Sequence, residues 1–506
     1  MNWNPLSKRK RRLERLAEPE ATRTTADEID QMPRDGSSGR KVYRRILREL
    51  SRDGNPEQNL ASFVTTRMDQ HAGRLALECI GKNLINSAEY PQTEQIHQRI
   101  VRMTADLFHA GRSGENGFIG TTTVGSSEAI MLGLLAHKWN WRNRYRQTPQ
   151  ASPKDQPYLV IGTHAHACFT KFARYFDVAV KWIPLQPGQL SITAEQVRAV
   201  IETRISDDPQ VMKECGFTQE EAGERKVGEL VMAIGCVLGS TYSGSLDDVA
   251  GIDRILTQGN WDIPIHVDAA SGGFVLPFTQ PHLEWDFRLP HVQSINVSNH
   301  KYGLVYAGLG TLVFRHGGIV PDDLLVDVPY LSGEMRSFSL NFSRPSNSVA
   351  MQYHAFLTLG KAGYRRVMRE CLATARFVAD RLAAMPQTQQ YFELVSNPDE
   401  MPVVAFRLQR TPGRLTLDAL AEALKRKGWI VPVYRLPANV EEVEVMRVVV
   451  KPEFTRSRAK TFLNDLAAAV RELTSEAPRT VAAQALDAFR NVCAASGPAT
   501  ERDGAC

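Results

Sequence analysis

Ser294-Ile-Asn-Val-Ser-Asn-His-Lys-Tyr-Gly303 is the stretch on which the reading of this chain turns. Val292 to Val297 is a short apolar-alternating run and predicts a buried strand. It leads into Ser298-Asn299-His300-Lys301, with Gly303 just beyond. Open α/β sheets hold their chemistry in the crevice outside the carboxyl ends of their strands. A lysine there, beside small residues and a histidine, suits that placement. Taken alone, it reads more simply as a solvated loop residue.

A second strand end changes the balance. His266-Val-Asp-Ala-Ala-Ser-Gly-Gly-Phe274 predicts a strand that delivers Asp268 into a cleft among small residues. An aspartate at one strand end and a lysine at a later one are what pyridoxal 5'-phosphate (PLP) needs. The lysine holds the aldehyde as a Schiff base, and the carboxylate keeps the pyridine nitrogen protonated. Gly125-Ser126-Ser127 adds a third element, because it precedes a helical pattern. Backbone N–H groups at a helix start, with two hydroxyls, suit a phosphate. The same tripeptide also serves as an ordinary N-cap. His166 follows another strand and is either a structural histidine or a ring-stacking partner for the cofactor, with Ala270 against the other face. Thr241, at a further strand end, is placed to hydrogen-bond a polar cofactor or substrate atom.

The 506 residues suffice for one large domain and a smaller one. A composition of 43% hydrophobic and 23% charged residues is that of an ordinary globular enzyme, and the net charge of +5 is small for the length. Much of the excess lies in Lys8-Arg-Lys-Arg-Arg12. No aromatic interleaving or nucleic-acid module follows it, so a solvated arm is favoured over nucleic-acid binding. No run approaches the roughly 20 apolar residues that span a bilayer, and no secretory signal is seen. Seven scattered cysteines, without CxxC or Cys/His metal spacing, imply reduced thiols, no metal site and a cytoplasmic location.

Alternating strand and helix patterns predict an α/β fold with a mostly parallel sheet and helices on both faces. The boundaries read as an N-terminal basic and helical arm (1–57), a large PLP-binding domain (58–346), a small C-terminal α+β domain (347–474) and a tail (475–506). Helices are expected over Glu78 to Ile85, Thr93 to Phe108, Glu128 to Arg146, Ser348 to Leu359 and Tyr364 to Ala384, among others. Asp207 to Glu224, charged and poor in strong apolar positions, reads as a surface insertion.

Five stretches together resemble the PLP-dependent group II amino acid decarboxylases, nearest to the glutamate decarboxylases among them. They are TVGSSEA around Ser126, KFARYFDV around Lys171, HVDAASGGF around Asp268, SINVSNHKYG around Lys301 and LNFSRP around Ser343. The resemblance runs from about Asn59 to Glu472. It implies the fold-type-I PLP-dependent transferase architecture and a homodimer with shared active sites, possible in higher assemblies. Carried over position by position, Lys301 would be the Schiff-base lysine and Asp268 the pyridinium partner. Ser126, Ser127, Ser298 and His300 would hold the phosphate, and Ser343 would hold it from the neighbouring subunit. Arg447 would grip the substrate α-carboxylate, and Tyr330-Leu331 would belong to a mobile loop that supplies a tyrosine for proton transfer.

The chain departs from the family in places. His166 stands where bacterial members have Gln, and Phe169-Thr170 where close relatives have Trp-His. In the pocket for the substrate side chain, Ser62-Phe63 replaces Thr-Phe and Asn86 replaces Asp, while Asn83 matches. Asn86 donates a hydrogen bond without first being protonated, so an acidic side chain is expected to bind with less demand for low pH. The C-terminus lacks both the histidine-bearing tail of acid-responsive bacterial enzymes and a calmodulin-type segment. The expected reaction is α-decarboxylation of L-glutamate to 4-aminobutyrate and CO2. The alternatives are decarboxylation, or decarboxylation-dependent oxidative deamination, of another amino acid in a specialised pathway, and a non-catalytic PLP-binding homologue.

Overall fold

The computed structural model describes residues 31–85, 88–111, 117–148, 151–327 and 336–475. Its centre is a seven-stranded sheet in the order β1-β7-β6-β5-β4-β2-β3. The strands are β1 (Ile119–Thr123), β2 (Tyr158–Gly162), β3 (Ala179–Ile183), β4 (Val231–Val237), β5 (Ile265–Asp268), β6 (Val292–Val297) and β7 (Gly310–Phe314). β2, β4, β5 and β7 are buried at every position, as strands covered on both faces must be. β7 runs antiparallel to β1 and β6, and the other neighbours pair in parallel. The mostly parallel sheet is therefore as expected, with one reversed strand.

The helix Ser126–Tyr145 crosses one face, and its buried residues point to more than one side, from Ile130 and Leu134 to Ala129, Leu132 and Ala136. A helix between two packed layers has no polar stripe to spare. A second, four-stranded antiparallel sheet follows, in the order β10 (Phe392–Leu394), β11 (Val403–Leu408), β13 (Glu444–Val449), β12 (Val433–Arg435). Its own core, built on Phe406, Trp429, Phe454 and Phe462, is packed by the helices Leu417–Arg426 and Arg456–Thr474. β8 (Val326–Asp327) and β9 (Arg336–Ser337) form a separate two-residue ladder.

Two readings of the sequence need correction. The helix placed over Glu78 to Ile85 instead spans Gln70–Cys79, because Asp69 caps it by accepting from His71 N and Ala72 N. The two helices expected at Ser348–Leu359 and Tyr364–Ala384 are found within Asn347–Ala384, divided by the non-helical Gly360 with φ 56°. The supposed surface insertion is tied to the main core: Val211, Cys215, Phe217 and Ala222 are buried there. Its short helices, Pro209–Cys215 and Gln219–Ala222, are capped by Asp208 and by a Thr218–Glu221 capping box.

Candidate active site

The parallel strands all point their carboxyl ends to one edge of the sheet, and the sequence-predicted residues gather there. β5 ends on Asp268 and β6 runs into Ser298, His300 and Lys301. β4 is followed by Gly239 and Thr241, β2 by His166, and β1 by Gly125. Together these loops enclose a cavity of about 270 Å³. Gly125, Ser126, Ser127, Ser298, His300 and Lys301 line it on one side. Asp268, Ala270, Thr241 and His166 line it as well.

One end of the cavity is built for an anion. The helix that starts at Ser126 has no side chain capping it, so its first N–H groups are left for a ligand. Ser126 Oγ lies 2.7 Å from Ser298 Oγ, which ties the helix start to the end of β6. A Cβ on Gly125 would sit 3.0 Å from His300 Cε1, so the backbone approaches that ring as closely as glycine permits. His300 Nδ1 is buried with no partner among the described residues, an orphan that a bound phosphate oxygen would satisfy.

At the other end Asp268 is 4% exposed. Its Oδ1 accepts from Ala270 N at 3.0 Å and from Asn296 Nδ2 at 2.8 Å. Lys301 is partly exposed; its Nζ donates to Ser271 Oγ at 3.2 Å and stands 5.2 Å from the Phe63 ring centroid. Burial pulls the Lys301 ammonium below its ordinary pKa, Asp268 and Cys168 oppose that pull, and Arg447 adds to it. An amine so placed is more readily the free base a carbonyl requires. His166 caps the helix Ala167–Tyr175, its Nδ1 accepting from Cys168 N at 3.3 Å. Burial lowers its pKa, against the pull of Asp268.

Arg447, on β13, reaches into this region from the second sheet. It is 6% exposed, and its guanidinium donates to the carbonyls of Thr241 and Ala61. It lies 5.0 Å from the Phe63 ring centroid and 5.5 Å from that of Tyr434. Its Nε is buried without a partner among the described residues. Phe63 thus has a cation on the Lys301 side and another on the Arg447 side. Ser62 adjoins it, its Oγ accepting from Val64 N.

Two predicted residues are elsewhere in the same chain. Asn83 Nδ2 donates to Ser343 Oγ at 3.1 Å, and Asn83 Oδ1 accepts from Arg344 N. This pair is not part of the Lys301 cavity, and Ser343 is exposed. Tyr330, Leu331 and Asn86 lie outside the described residues, as do the basic run at 8–12 and the tail beyond 475.

Sequence reasoning overlooked four participants. Asn296 pairs with Asp268, and Ser271 with Lys301. Thr65 braces the lysine loop, accepting nothing from it but donating its N–H to His300 O and its hydroxyl to Lys301 O. Cys168 lines the cavity, with burial first and then Asp268 pushing its thiol up to about 12, so it is inert as a nucleophile. Asn296 and Ser271 lie within the two quoted stretches, where alternation and adjacency were the available signals.

Burial is also the largest cause holding three imidazoles neutral: His300 and His266 are lowered to about 4, and His137 to about 3, from 6.5. The unfolded chain therefore binds more protons than the folded one between these values, and stability rises with pH across that window. The melting temperature of the cofactor-free protein is expected to fall steadily as pH is lowered from 6.5 to 4. Equal melting temperatures at pH 7 and pH 4.5 would contradict this.

The model for the pyridoxal-dependent decarboxylase conserved domain matches residues 43–409. A glutamate decarboxylase of Solanum lycopersicum is 39% identical over 452 residues, covering 88% of this chain and 84% of the relative. Glutamate decarboxylase 5 of Arabidopsis thaliana is 39% identical over 446 residues, with 87% and 83% covered. The solved structure of a Lactobacillus brevis glutamate decarboxylase superposes with a TM-score of 0.77 at 33% identity, covering 88% of this chain and 95% of that one.

Proposed function

The chain belongs to the pyridoxal-dependent decarboxylase family, and we propose that it removes the α-carboxylate of L-glutamate as CO2, leaving 4-aminobutyrate. The observation that carries this reading is the shared Phe63 ring, with Lys301 Nζ 5.2 Å from its centroid and the Arg447 guanidinium 5.0 Å from it. PLP is the cofactor, and when bound it supplies an aldehyde for an amine and a ring that accepts the electrons of a breaking bond at the α-carbon.

Each residue has work in that reaction. Lys301 would hold the aldehyde through its Nζ. Ser126, Ser127, Ser298, His300 and the Gly125 backbone would hold the phosphate, and His166 and Ala270 would pack the two ring faces. Asp268 would keep the ring nitrogen protonated. Thr241 accepts from Arg447 through its carbonyl and lines the cavity, where its hydroxyl would be available to the cofactor. Arg447 would take one oxygen of the α-carboxylate at its Nε, which has no partner among the described residues, and so orient the C–CO2 bond for cleavage. The dry surroundings favour departure of a charged carboxylate as neutral CO2. Tyr330 or the Lys301 amine would deliver the proton that the α-carbon takes up.

The site reads as one shared between two copies of the chain. The exposed Asn83–Ser343 pair has no role in its own cavity and would complete the partner's, Ser343 toward the phosphate and Asn83 with Asn86 toward the substrate side chain, opposite Ser62 and Phe63. The amphipathic helix Gly39–Leu50 supports this assembly: none of its residues is buried, and Tyr43, Ile46 and Leu50 are 54%, 47% and 56% exposed. A homodimer in the cytoplasm is the setting we favour.

A screen of CO2 release from the common amino acids by PLP-loaded protein tests the substrate. L-Glutamate is expected to be turned over at least about tenfold faster than L-aspartate or neutral amino acids, since an unmatched buried polar group costs a factor of this order or more. No release from any acidic amino acid would sink the proposal.

A further inference from the structure

Beneath Asp268 the sheet carries a line of polar side chains in an otherwise apolar layer. β5 and β6 pair in parallel, His266 beside Ser294 and Asp268 beside Asn296. Residues two apart share a face of a strand, so all four stand on the same side. His266, Ser294 and Asn296 are each 0% exposed. The helix Ser126–Tyr145 covers them and adds His137, which is also buried. A Cβ on Gly133 would lie 2.9 Å from His266 Cε1, so that glycine is what lets the helix close over the imidazole.

Hydrogen bonds join the line at both ends. Asn296 Nδ2 donates to Asp268 Oδ1 at 2.8 Å. Among the described residues Asn296 Oδ1 and His266 Nε2 are both buried without a hydrogen-bond partner; they are the acceptor and the ring nitrogen left over at the middle step, and Asn296 acts on the imidazole in the direction of a hydrogen-bond partner. His266 Nδ1 is 2.7 Å from Ser294 Oγ, which is 2.7 Å from His137 Nε2. A carboxylate only accepts, and each neutral imidazole has one donor and one acceptor. One assignment therefore satisfies the three hydrogen bonds and matches the two orphans: His137 N–H to Ser294, Ser294 O–H to His266, His266 N–H toward Asn296, Asn296 N–H to Asp268. Each donor points toward the carboxylate, and such chains strengthen their terminal bond. The far end opens on a separate cavity of about 280 Å³, where His137 meets Asn140, His291 and His316. With both imidazoles held neutral by burial, the chain carries polarity and no charge.

We propose that His137, Ser294, His266 and Asn296 are positioning residues that act through one another to keep Asp268 a carboxylate aimed at the cofactor's ring nitrogen. This rests on the reading of Asp268 as the partner of that nitrogen. Ser294→Ala cuts the chain in the middle, and His137→Leu removes its first donor; neither residue lines the Lys301 cavity. The protein is loaded with PLP labelled with ¹⁵N in the ring, and ring protonation is read from the ¹⁵N chemical shift alongside the cofactor Kd. Both variants are expected to shift the resonance toward the unprotonated nitrogen and to raise Kd roughly three- to tenfold, the worth of one net hydrogen bond. His137→Gln, which keeps a donor at that end, is expected to recover both readouts. Variants that melt earlier but keep the wild-type ¹⁵N shift and Kd would overturn the proposal, since the chain would then only satisfy buried groups. An unprotonated ring nitrogen in the wild type would overturn the underlying reading of Asp268 before any variant is compared.

Discussion

Lys301→Ala is expected to yield a folded protein that no longer attaches PLP covalently and whose turnover is lower by at least about 10³-fold. The side chain contributes little to the fold. Among the described residues its Nζ has one hydrogen-bond partner, Ser271 Oγ, and burial is the largest influence on its charge. Removing a desolvated ammonium relieves a cost, and the small residues around it leave room for water. The melting temperature of the cofactor-free variant should therefore equal or exceed that of the wild type. The phosphate end is untouched, because Ser126, Ser298 and the helix start do not depend on Lys301. PLP should still bind reversibly, detected by dialysis rather than by a persistent visible absorption band. Turnover within tenfold of wild type, with the band intact, would remove Lys301 from the chemistry.

The sequence revealed most of this edge of the sheet because strand ends carry their own punctuation. Asp268 and Lys301 each close an apolar run, and the loops after them are rich in small residues. What stayed hidden depends on register and on direction. Asn296 meets Asp268 only because β5 and β6 pair in parallel at that offset, and no local pattern fixes an offset. β7 is as apolar as its neighbours, and a buried run reads the same in both directions, so its reversal had no local signal. The segment around Val211 and Phe217 was misjudged for a related reason. Its buried apolar residues are Val211, Cys215, Phe217 and Ala222; only Val211 and Cys215 share a helix face, four apart on Pro209–Cys215, too short a pattern to stand out among the charges, and only tertiary packing shows that they enter the core. Asn83 and Ser343 illustrate the opposite case. Their residue types matched the expected site, yet one chain holds them together at 3.1 Å away from its own Lys301 cavity.

The charge at Asp268 should matter more than its shape, and Asp268→Asn separates the two. Asparagine is nearly isosteric, and its Oδ1 can still accept from Ala270 N and Asn296 Nδ2, the two bonds Asp268 makes now. The loop geometry should survive. The atom turned to the cofactor changes from an acceptor to an N–H2 donor, which pairs with an unprotonated ring nitrogen and so reverses the polarity of that contact. The ring then loses its pull on electrons from the breaking bond, and kcat is expected to fall by about 10²-fold or more, the scale seen when a preorganised electrostatic partner is lost. Two further readouts keep this from being mistaken for misfolding. The ring ¹⁵N resonance should move fully to the unprotonated position, further than in Ser294→Ala. The Lys301 amine should also titrate lower still, because Asp268 is the largest influence opposing its desolvation, and burial would then act with less resistance. A variant with unchanged kcat and a still-protonated ring nitrogen would show that another group protonates the ring, and His166, which lines the same cavity and whose charge feels Asp268, would be the next residue to replace.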